Sequence, residues 1–495
     1  MGNINLKKAI IYDKNIHPER TNATLERIEE VFINVMGQDC RNDLEELETQ
    51  LGHINCRQAL NEHQADIIID FIEKKKYSPT VLQDISDQLS YSEISTSEAI
   101  DIHEKYKIPV SQLEKDIVPV KGDGCWIIDT KGNRYLDMDS NYSATNLGMA
   151  NEEIARGLYN QAKTLISMKE DRVQIARTRF LKEISSMMPP GLDYFYWQNS
   201  GGEAVDKAIK IAKAFTKSKD VIAFRKGFHG RTHGAVAVTW EKEYKEPFGL
   251  DDEDWVYFAK FNDFGSVRNL VEETGAKIII LELVQGEEAG NRAADQDFVI
   301  QLWDYAKRKG IVIVDDEVQA GFGRTALKKG DWFACMSYNV VPDIMVIGKS
   351  FGGGYPVTAV VTNKCISDAM KPGYDGSTFG GNPMAMTAAL IATRQMKEKD
   401  LTANVVARSK ELRDGLEELK KKYPVIEDIC GRGLMFSFSV FSEKNVTTLA
   451  EELKKNGVKT SLSTGKYIRF LPPTIISQSE IKEFLKRLDR SLGSI

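Results

Sequence analysis

The stretch VPDIMVIGKSFGGG, Val341 to Gly354, decides how the rest of the chain reads. The apolar run Ile344 to Ile347 has the length of a buried strand, and Gly348-Lys349-Ser350 and three more glycines follow it. Gly-Lys-Ser is also the tail of a nucleotide-binding P-loop. That loop would need its first glycine at position 343, where Asp343 stands. The glycines follow the lysine instead of preceding it, so the nucleotide reading fails. A lysine that closes a buried strand in a glycine-rich turn is placed to lose its hydration. Desolvation lowers an amine's pKa and frees its lone pair for Schiff-base chemistry.

Similar apolar runs alternate with helical stretches from about residue 120 onward: DVIAFR at 220–225, AKIIILELV at 276–284 and GIVIVDDE at 310–317. Runs that are apolar throughout, separated by helices, predict an α/β fold with a mostly parallel sheet covered on both faces. CWIIDTKGNRYLDMD, 125–139, predicts two short strands about a Lys131-Gly132-Asn133 turn. Ligands of such sheets lie beyond the carboxyl ends of the strands, so the residues after each run carry the functional argument.

After IVIV come Asp315, Asp316 and Glu317. Three acids closing a buried strand are costly unless something positive meets one of them. A metal, a protonated ring nitrogen of a cofactor, or solvent reaching two of the three would each satisfy the pattern. Ser200-Gly201-Gly202 precedes an amphipathic helix bearing Val205, Ala208, Ile209, Ala212 and Phe215 on one face. Bare backbone N–H groups at a helix N-terminus suit a phosphate, and Ser200 alternatively serves as an ordinary N-cap. FRKGFHGRTHG, 224–234, supplies Phe228 as a platform for a flat ring, with His229, Arg231 and His233 beside it. The two histidines lack the HExxH pattern of a zinc helix. A phosphate cradle, a ring platform, one buried acid and a reactive lysine together describe a site for pyridoxal 5'-phosphate.

With those residues in view, the chain from about 110 to 490 resembles the class III, fold-type I pyridoxal-phosphate aminotransferases, nearest in motif to the ornithine and acetylornithine enzymes. The resemblance rests on NSGGEA, FHGRT, QGE, DDEVQAGFGRT, GKSFGGG, GSTFGGNP and IRFLPP. It implies a large, mostly parallel-sheet domain at 166–394 and a smaller α+β domain from 105–165 and 395–495. It implies that Lys349 holds the cofactor as a Schiff base and shuttles the proton, and that Asp316 pairs with the pyridinium nitrogen. Val318 would pack beneath the ring and Phe228 above it, and Gln319 would reach the phenolic oxygen. Ser200, Gly201 and Gly202 would cradle the phosphate, Glu282 would support the site, and Ser377 and Thr378 would reach the neighbouring subunit's cofactor in a homodimer. Arg469 would bind the carboxylate of 2-oxoglutarate, Glu287 would gate that arginine, and Tyr142 and Arg231 would contact the amino donor. The implied reaction is ping-pong transfer of an ω-amino group from ornithine, acetylornithine or a related donor to 2-oxoglutarate. A racemase or epimerase, or a putrescine- or 4-aminobutyrate-type transaminase, are the alternatives on the same scaffold, and a cofactor-binding scaffold without catalysis is a third. The chain departs from the family at GMANEE, at Leu283 and at Ala320, which bears on the substrate more than on the cofactor.

The first hundred residues stand apart. They hold three of the 37 glycines and carry 18 acids against 10 bases, whereas the remainder carries 54 acids against 56 bases. NATLERIEEVFINVMG, RQALNEHQADIIIDFIEKKK and SPTVLQDISDQL predict amphipathic helices, with Asn22 or Thr24 as a cap, Gly37 as a stop, and Ser78-Pro79 opening the third. An acidic helical module spanning 1–104, able to dock a protein partner, is the expectation. A faint likeness to acyl or peptidyl carrier domains puts Asn55 where the attachment serine would be. The net charge of −6 over 495 residues argues against a nucleic-acid surface. The sequence has no run long and apolar enough to span a membrane and no signal-peptide pattern, and Leu6 breaks a myristoylation signal. Six cysteines without CxxC spacing suit reduced thiols and a cytoplasmic setting.

Overall fold

The computed structural model describes residues 24–36, 40–52, 60–78, 81, 85, 94–463 and 467–495. The N-terminal stretch read for targeting signals, together with Asn22, Gly37, Asn55 and Pro79, lies outside the described residues. The chain forms two compact units, Met1–Val118 and Pro119–Ile495.

In the first unit, helices Leu25–Met36, Arg41–Leu51 and Glu62–Lys75 bury Ile28, Phe32, Leu47, Ile68 and Phe71 against one another. Thr24 is the cap of the first helix: its Oγ1 accepts the Arg27 N–H at 3.1 Å. The helix expected from Arg57 onward starts at Glu62, because Asn61 and Gln64 form a reciprocal capping box. Ser78 Oγ accepts the Val81 N–H at 3.3 Å, in the manner expected of an N-cap. The last helix, Thr96–Tyr106, buries none of its residues. A boundary at 104 would cut that helix, and the division between the units falls after it, at Val118.

The second unit is built on a seven-stranded sheet. Its strands are β1 (Tyr194–Gln198), β2 (Val221–Phe224), β3 (Val256–Ala259), β4 (Ile278–Leu281), β5 (Val312–Asp316), β6 (Ile344–Ile347) and β7 (Thr358–Thr362), in the spatial order β1-β7-β6-β5-β4-β2-β3. From β6 through β5, β4 and β2 to β3 every pairing is parallel. β7 runs antiparallel to both of its neighbours. The strands are apolar throughout because both faces are covered. Ile278, Ile280, Val312, Val314 and Val346 pack on the helix Gly201–Thr216, whereas Ile279, Leu281, Ile313, Met345 and Ile347 face the opposite layer. That helix buries Val205, Ala208, Ile209 and Ala212 as expected, but Phe215 stays 38% exposed because its turn runs toward the helix end.

Among the described residues two smaller four-stranded sheets and a two-stranded one, Val284–Gln285 with Arg292–Ala293, complete the unit. The predicted hairpin pairs Trp126–Asp129 with Arg134–Asp137, and Asp129 Oδ1 closes its turn by accepting the Lys131 and Asn133 N–H groups. Strands Ile426–Arg432, Met435–Val440, Tyr467–Phe470 and Ser461–Leu462 form an antiparallel sheet packed on the C-terminal helices through Phe436, Phe438, Phe470 and Phe484. Among the described residues no helix is long and apolar enough to cross a membrane.

Ile280 lies at the centre of the sheet with no exposed surface. Ile280→Ala should lower the stability of this unit by roughly 2–5 kcal/mol, seen as a fall in the urea midpoint of the full chain.

Candidate active site

The carboxyl ends of β1, β2, β4, β5 and β6 converge on one cavity of about 370 Å³. Gly201 and Gly202 follow β1, Phe228 follows β2, Glu282 follows β4, Asp316 closes β5, and Lys349 follows β6. Ser200, Glu287, Val318 and Gln319 also line the cavity. Because β7 is reversed, its first residue, Thr358, reaches the same edge, and its Oγ1 donates to the Ser200 carbonyl at 3.0 Å.

Ser200 caps the Gly201–Thr216 helix through its side chain, and Glu203 Oε2 accepts the Asn199 and Ser200 N–H groups at 2.9 Å. Both readings of this stretch therefore hold at once: an N-cap, and a glycine-lined cavity wall. The glycines are required by close approach. A Cβ on Gly202 would lie 3.0 Å from Thr232 Oγ1, and one on Gly230 would lie 2.7 Å from the Gly202 Cα. A Cβ on Gly201 would press on Val318 at 3.3 Å.

Asp316 is buried and already engaged. His229 Nδ1 donates to its Oδ2 at 2.8 Å, and the Val318 N–H donates to its Oδ1 at 3.1 Å. His229, weighed in the sequence only as a zinc ligand, is thus a partner of the acid. Burial pushes the Lys349 ammonium down to about 8, with Arg469 adding to the effect and Glu287, Asp316 and Glu282 opposing it. Its backbone sits at φ 48°, a left-handed conformation that costs a non-glycine residue energy and is common at functional sites. Glu282 accepts N–H groups from Phe228 (2.8 Å) and Gly286 (3.4 Å); burial, then the nearby Asp316, hold its carboxyl well above the usual range.

The other two acids of the triplet do not reach solvent. Asp315 and Glu317 alternate with Asp316 and turn to the opposite face of the sheet, fully buried. Glu317 Oε1 accepts the Cys335 N–H at 2.9 Å, and burial raises Glu317 to about 7 and Asp315 well above its ordinary value. The solvent-facing alternative for these acids is therefore overturned.

Arg469, fully buried on its strand and outside the cavity wall, donates Nη1 to Oε2 of the wall residue Glu287 at 2.6 Å. Its Nε and Nη2 are buried with no hydrogen-bond partner among the described residues. Tyr142 lays its ring 5.5 Å from that guanidinium. Tyr142 belongs to a run of four left-handed residues, Ser140 to Ser143, with φ of 43°, 49°, 54° and 81°. The run is held by Gln319 Nε2 donating to the Tyr142 carbonyl (3.3 Å), Ser350 Oγ to the Ser143 carbonyl (2.7 Å) and Arg324 Nη2 to Ser140 Oγ (3.1 Å). Arg231 is exposed at the rim, outside the cavity wall, with its guanidinium on the ring of Tyr244 at 4.2 Å. Ser377 and Thr378 are not in the wall of their own chain's cavity, and Ser377 Oγ accepts the Gly380 N–H at 2.9 Å. Asn141, Tyr355 and Thr358, which also line the cavity, carried no motif signal in the sequence.

The sequence profile described as "Aminotransferase class-III" matches residues 108–492. The chain is 34% identical over 375 residues, covering 75% of its own length and 93% of the relative's, to the [LysW]-aminoadipate semialdehyde/glutamate semialdehyde transaminase of Sulfurisphaera tokodaii. It is 32% identical over 378 residues to the acetylornithine aminotransferase of Archaeoglobus fulgidus, covering 76% and 96% of the two chains. Among solved structures it resembles the ornithine aminotransferase of Toxoplasma gondii, with a TM-score of 0.76 at 26% identity over 81% of this chain and 96% of that one. The chain belongs to the class III aminotransferases. Its fold is the α/β fold of type I pyridoxal-phosphate transferases, and it is a pyridoxal-phosphate-dependent aminotransferase.

The residues present suit that cofactor. The cavity combines an amine held near pH 8, a fixed carboxylate, two glycines where side chains would collide, and apolar groups in Phe228 and Val318. Gly202→Ala should weaken pyridoxal 5'-phosphate binding at least roughly 10-fold, measured by equilibrium titration of the cofactor-free protein, because the added methyl must displace Thr232. Only the unprotonated amine adds to a carbonyl. The rate of cofactor capture by the cofactor-free protein should therefore rise with pH up to about 8 and level off above it, followed by stopped-flow absorbance.

Proposed function

We propose that this enzyme moves the ω-amino group of ornithine, acetylornithine or a related amino acid to 2-oxoglutarate by ping-pong transamination. The observation that carries the reading is the Glu287–Arg469 pair. Arg469 is a fully buried guanidinium whose Nε and Nη2 await an acceptor. A carboxylate suits that geometry through two parallel N–H donors. With Glu287 in place the charge of Arg469 is matched, and a donor can present an amine there. With Glu287 turned aside, the arginine accepts one end of a dicarboxylate. The similarity to an acetylornithine aminotransferase and to a [LysW]-aminoadipate semialdehyde/glutamate semialdehyde transaminase supports a donor of this class.

Bound pyridoxal phosphate supplies an aldehyde that captures an amine and a ring that accepts the electron pair left at carbon when a proton departs. The chain's own residues do the rest. Asp316, steadied by His229 and the Val318 N–H, offers a fixed negative charge to a ring nitrogen. Gly201 and Gly202 bring backbone N–H groups and a helix N-terminus to a phosphate. Val318 and Phe228 would bracket the ring, Gln319 and Glu282 would serve its polar edge, and Lys349 Nζ would take a proton from the amine-bearing carbon and deliver it to the carbon that carries the cofactor's aldehyde. Arg231 and Tyr142 meet the donor's carboxylate end. Ser377 and Thr378, outside their own cavity, serve the partner's site in a homodimer. The enzyme works in the cytoplasm, consistent with free thiols at Cys125, Cys335, Cys365 and Cys430, and its acidic N-terminal module docks a protein partner.

Supplying L-ornithine, acetylornithine, lysine, 4-aminobutyrate or putrescine with 2-oxoglutarate tests the reading. Glutamate should form fastest with an ω-amino acid donor. Loss of optical rotation without keto acid would instead make the protein a racemase. Lys349→Ala should lose turnover by more than roughly 10⁴-fold and remain folded. Glu287→Gln should lower the KM for 2-oxoglutarate and raise that for the donor, because Arg469 is then left without a matching charge.

A further inference from the structure

Arg231 is held in an arrangement whose other member, Tyr244, has no role in the reaction described above. The turn Glu241–Phe248 carries Tyr244, which lies beside Phe228 of the cavity wall. Tyr244 puts its ring face 4.2 Å from the Arg231 guanidinium and meets the ring of Phe228 edge-on, with centroids 6.0 Å apart at 86°. The turn is anchored from below. The buried Glu288 accepts the Glu241 N–H at 3.3 Å, Trp240 donates its N–H to the Gly227 carbonyl at 2.9 Å, and Lys245 is buried with its ammonium over the Phe258 ring at 4.8 Å. Tyr244 is therefore a fixed platform, and an exposed arginine that would otherwise sample many rotamers is held on it.

We infer that Tyr244 is a positioning residue for donor specificity: it orients Arg231 so that donors bearing a carboxylate are preferred over diamines of the same length. The inference rests on Arg231 meeting the donor's carboxylate, as proposed above. The physical basis is the attraction of a cation to an aromatic face and the rotamer freedom already removed before the donor arrives. The same ring abuts Phe228, so the carboxylate-binding arginine is indexed to the wall of the cavity where the chemistry occurs.

The test compares ornithine with putrescine, which is the same carbon chain without the carboxylate. The readout is the ratio of their kcat/KM values in the holoenzyme, alongside the KM for 2-oxoglutarate. Tyr244→Ala should lower the ornithine-to-putrescine ratio roughly 10-fold, mainly through the ornithine KM, and leave the 2-oxoglutarate KM unchanged. Tyr244→Phe, which keeps the ring, should retain most of the preference. Equal losses for both donors in Tyr244→Ala, or an unchanged ratio, would overturn the inference. Arg231→Ala separates the two levels: if it leaves the ratio intact, the role of Arg231 fails. If it collapses the ratio while Tyr244→Ala does not, only the role of Tyr244 fails. No turnover of ornithine by the unmodified enzyme overturns both.

Discussion

Desolvation of one amine is the constraint on which the rest of the site depends. Lys349 follows a strand whose residues are all buried, and the protein around it withholds the water that would keep it charged. A neutral lysine near physiological pH is a nucleophile, and a charged one is a spectator. Everything close to it moderates that balance. Arg469 pushes the amine further toward neutrality, and Glu287, Asp316 and Glu282 pull it back. Any ligand that reorganised the Arg469–Glu287 pair would therefore also change the field at the amine.

The strand-end argument made much of this site legible before any coordinates. Parallel strands covered on both faces must end somewhere polar, and the residues after each run, Gly201, Phe228, Glu282, Asp316 and Lys349, meet in one cavity. What periodicity could not give is as instructive. Thr358 was missed because β7 runs backward, so its contribution lies at its beginning and not after its end. His229 was visible as a residue but not as a partner of Asp316, because their contact joins segments 87 positions apart. Asp315 and Glu317 were open to several readings until the face of the strand was known; adjacent carboxyls on one strand point to opposite layers. Capping chemistry was readable in part: Ser200 and Thr24 were legible as caps, whereas the equally local Asn61–Gln64 box was not.

Five of the fourteen left-handed non-glycine residues among those described lie at or beside the candidate site. Four consecutive left-handed residues deliver Tyr142, and Lys349 is itself left-handed. Neither conformation would persist in isolation, because each such residue costs free energy. The hydrogen bonds from Gln319, Ser350 and Arg324 hold the first of them, and two of those donors come from segments that also build the cavity. Loss of the polar side chains around this turn should therefore be felt as misplacement of the donor pocket before it is felt as unfolding.

The antiparallel strand has one more consequence. β6 and β7 are paired across Ile347 and Ala359, so the segment carrying Lys349 is pinned at both ends to a single sheet within a few residues. Arg469 rides on a different sheet, joined to the first through packed side chains and the Glu287 contact. Any displacement of one sheet against the other would move Arg469 and leave Lys349 where it is. The architecture thus divides its tolerance for change: the lysine is stapled, and the arginine can be re-sited by small sliding movements or by drift in sequence.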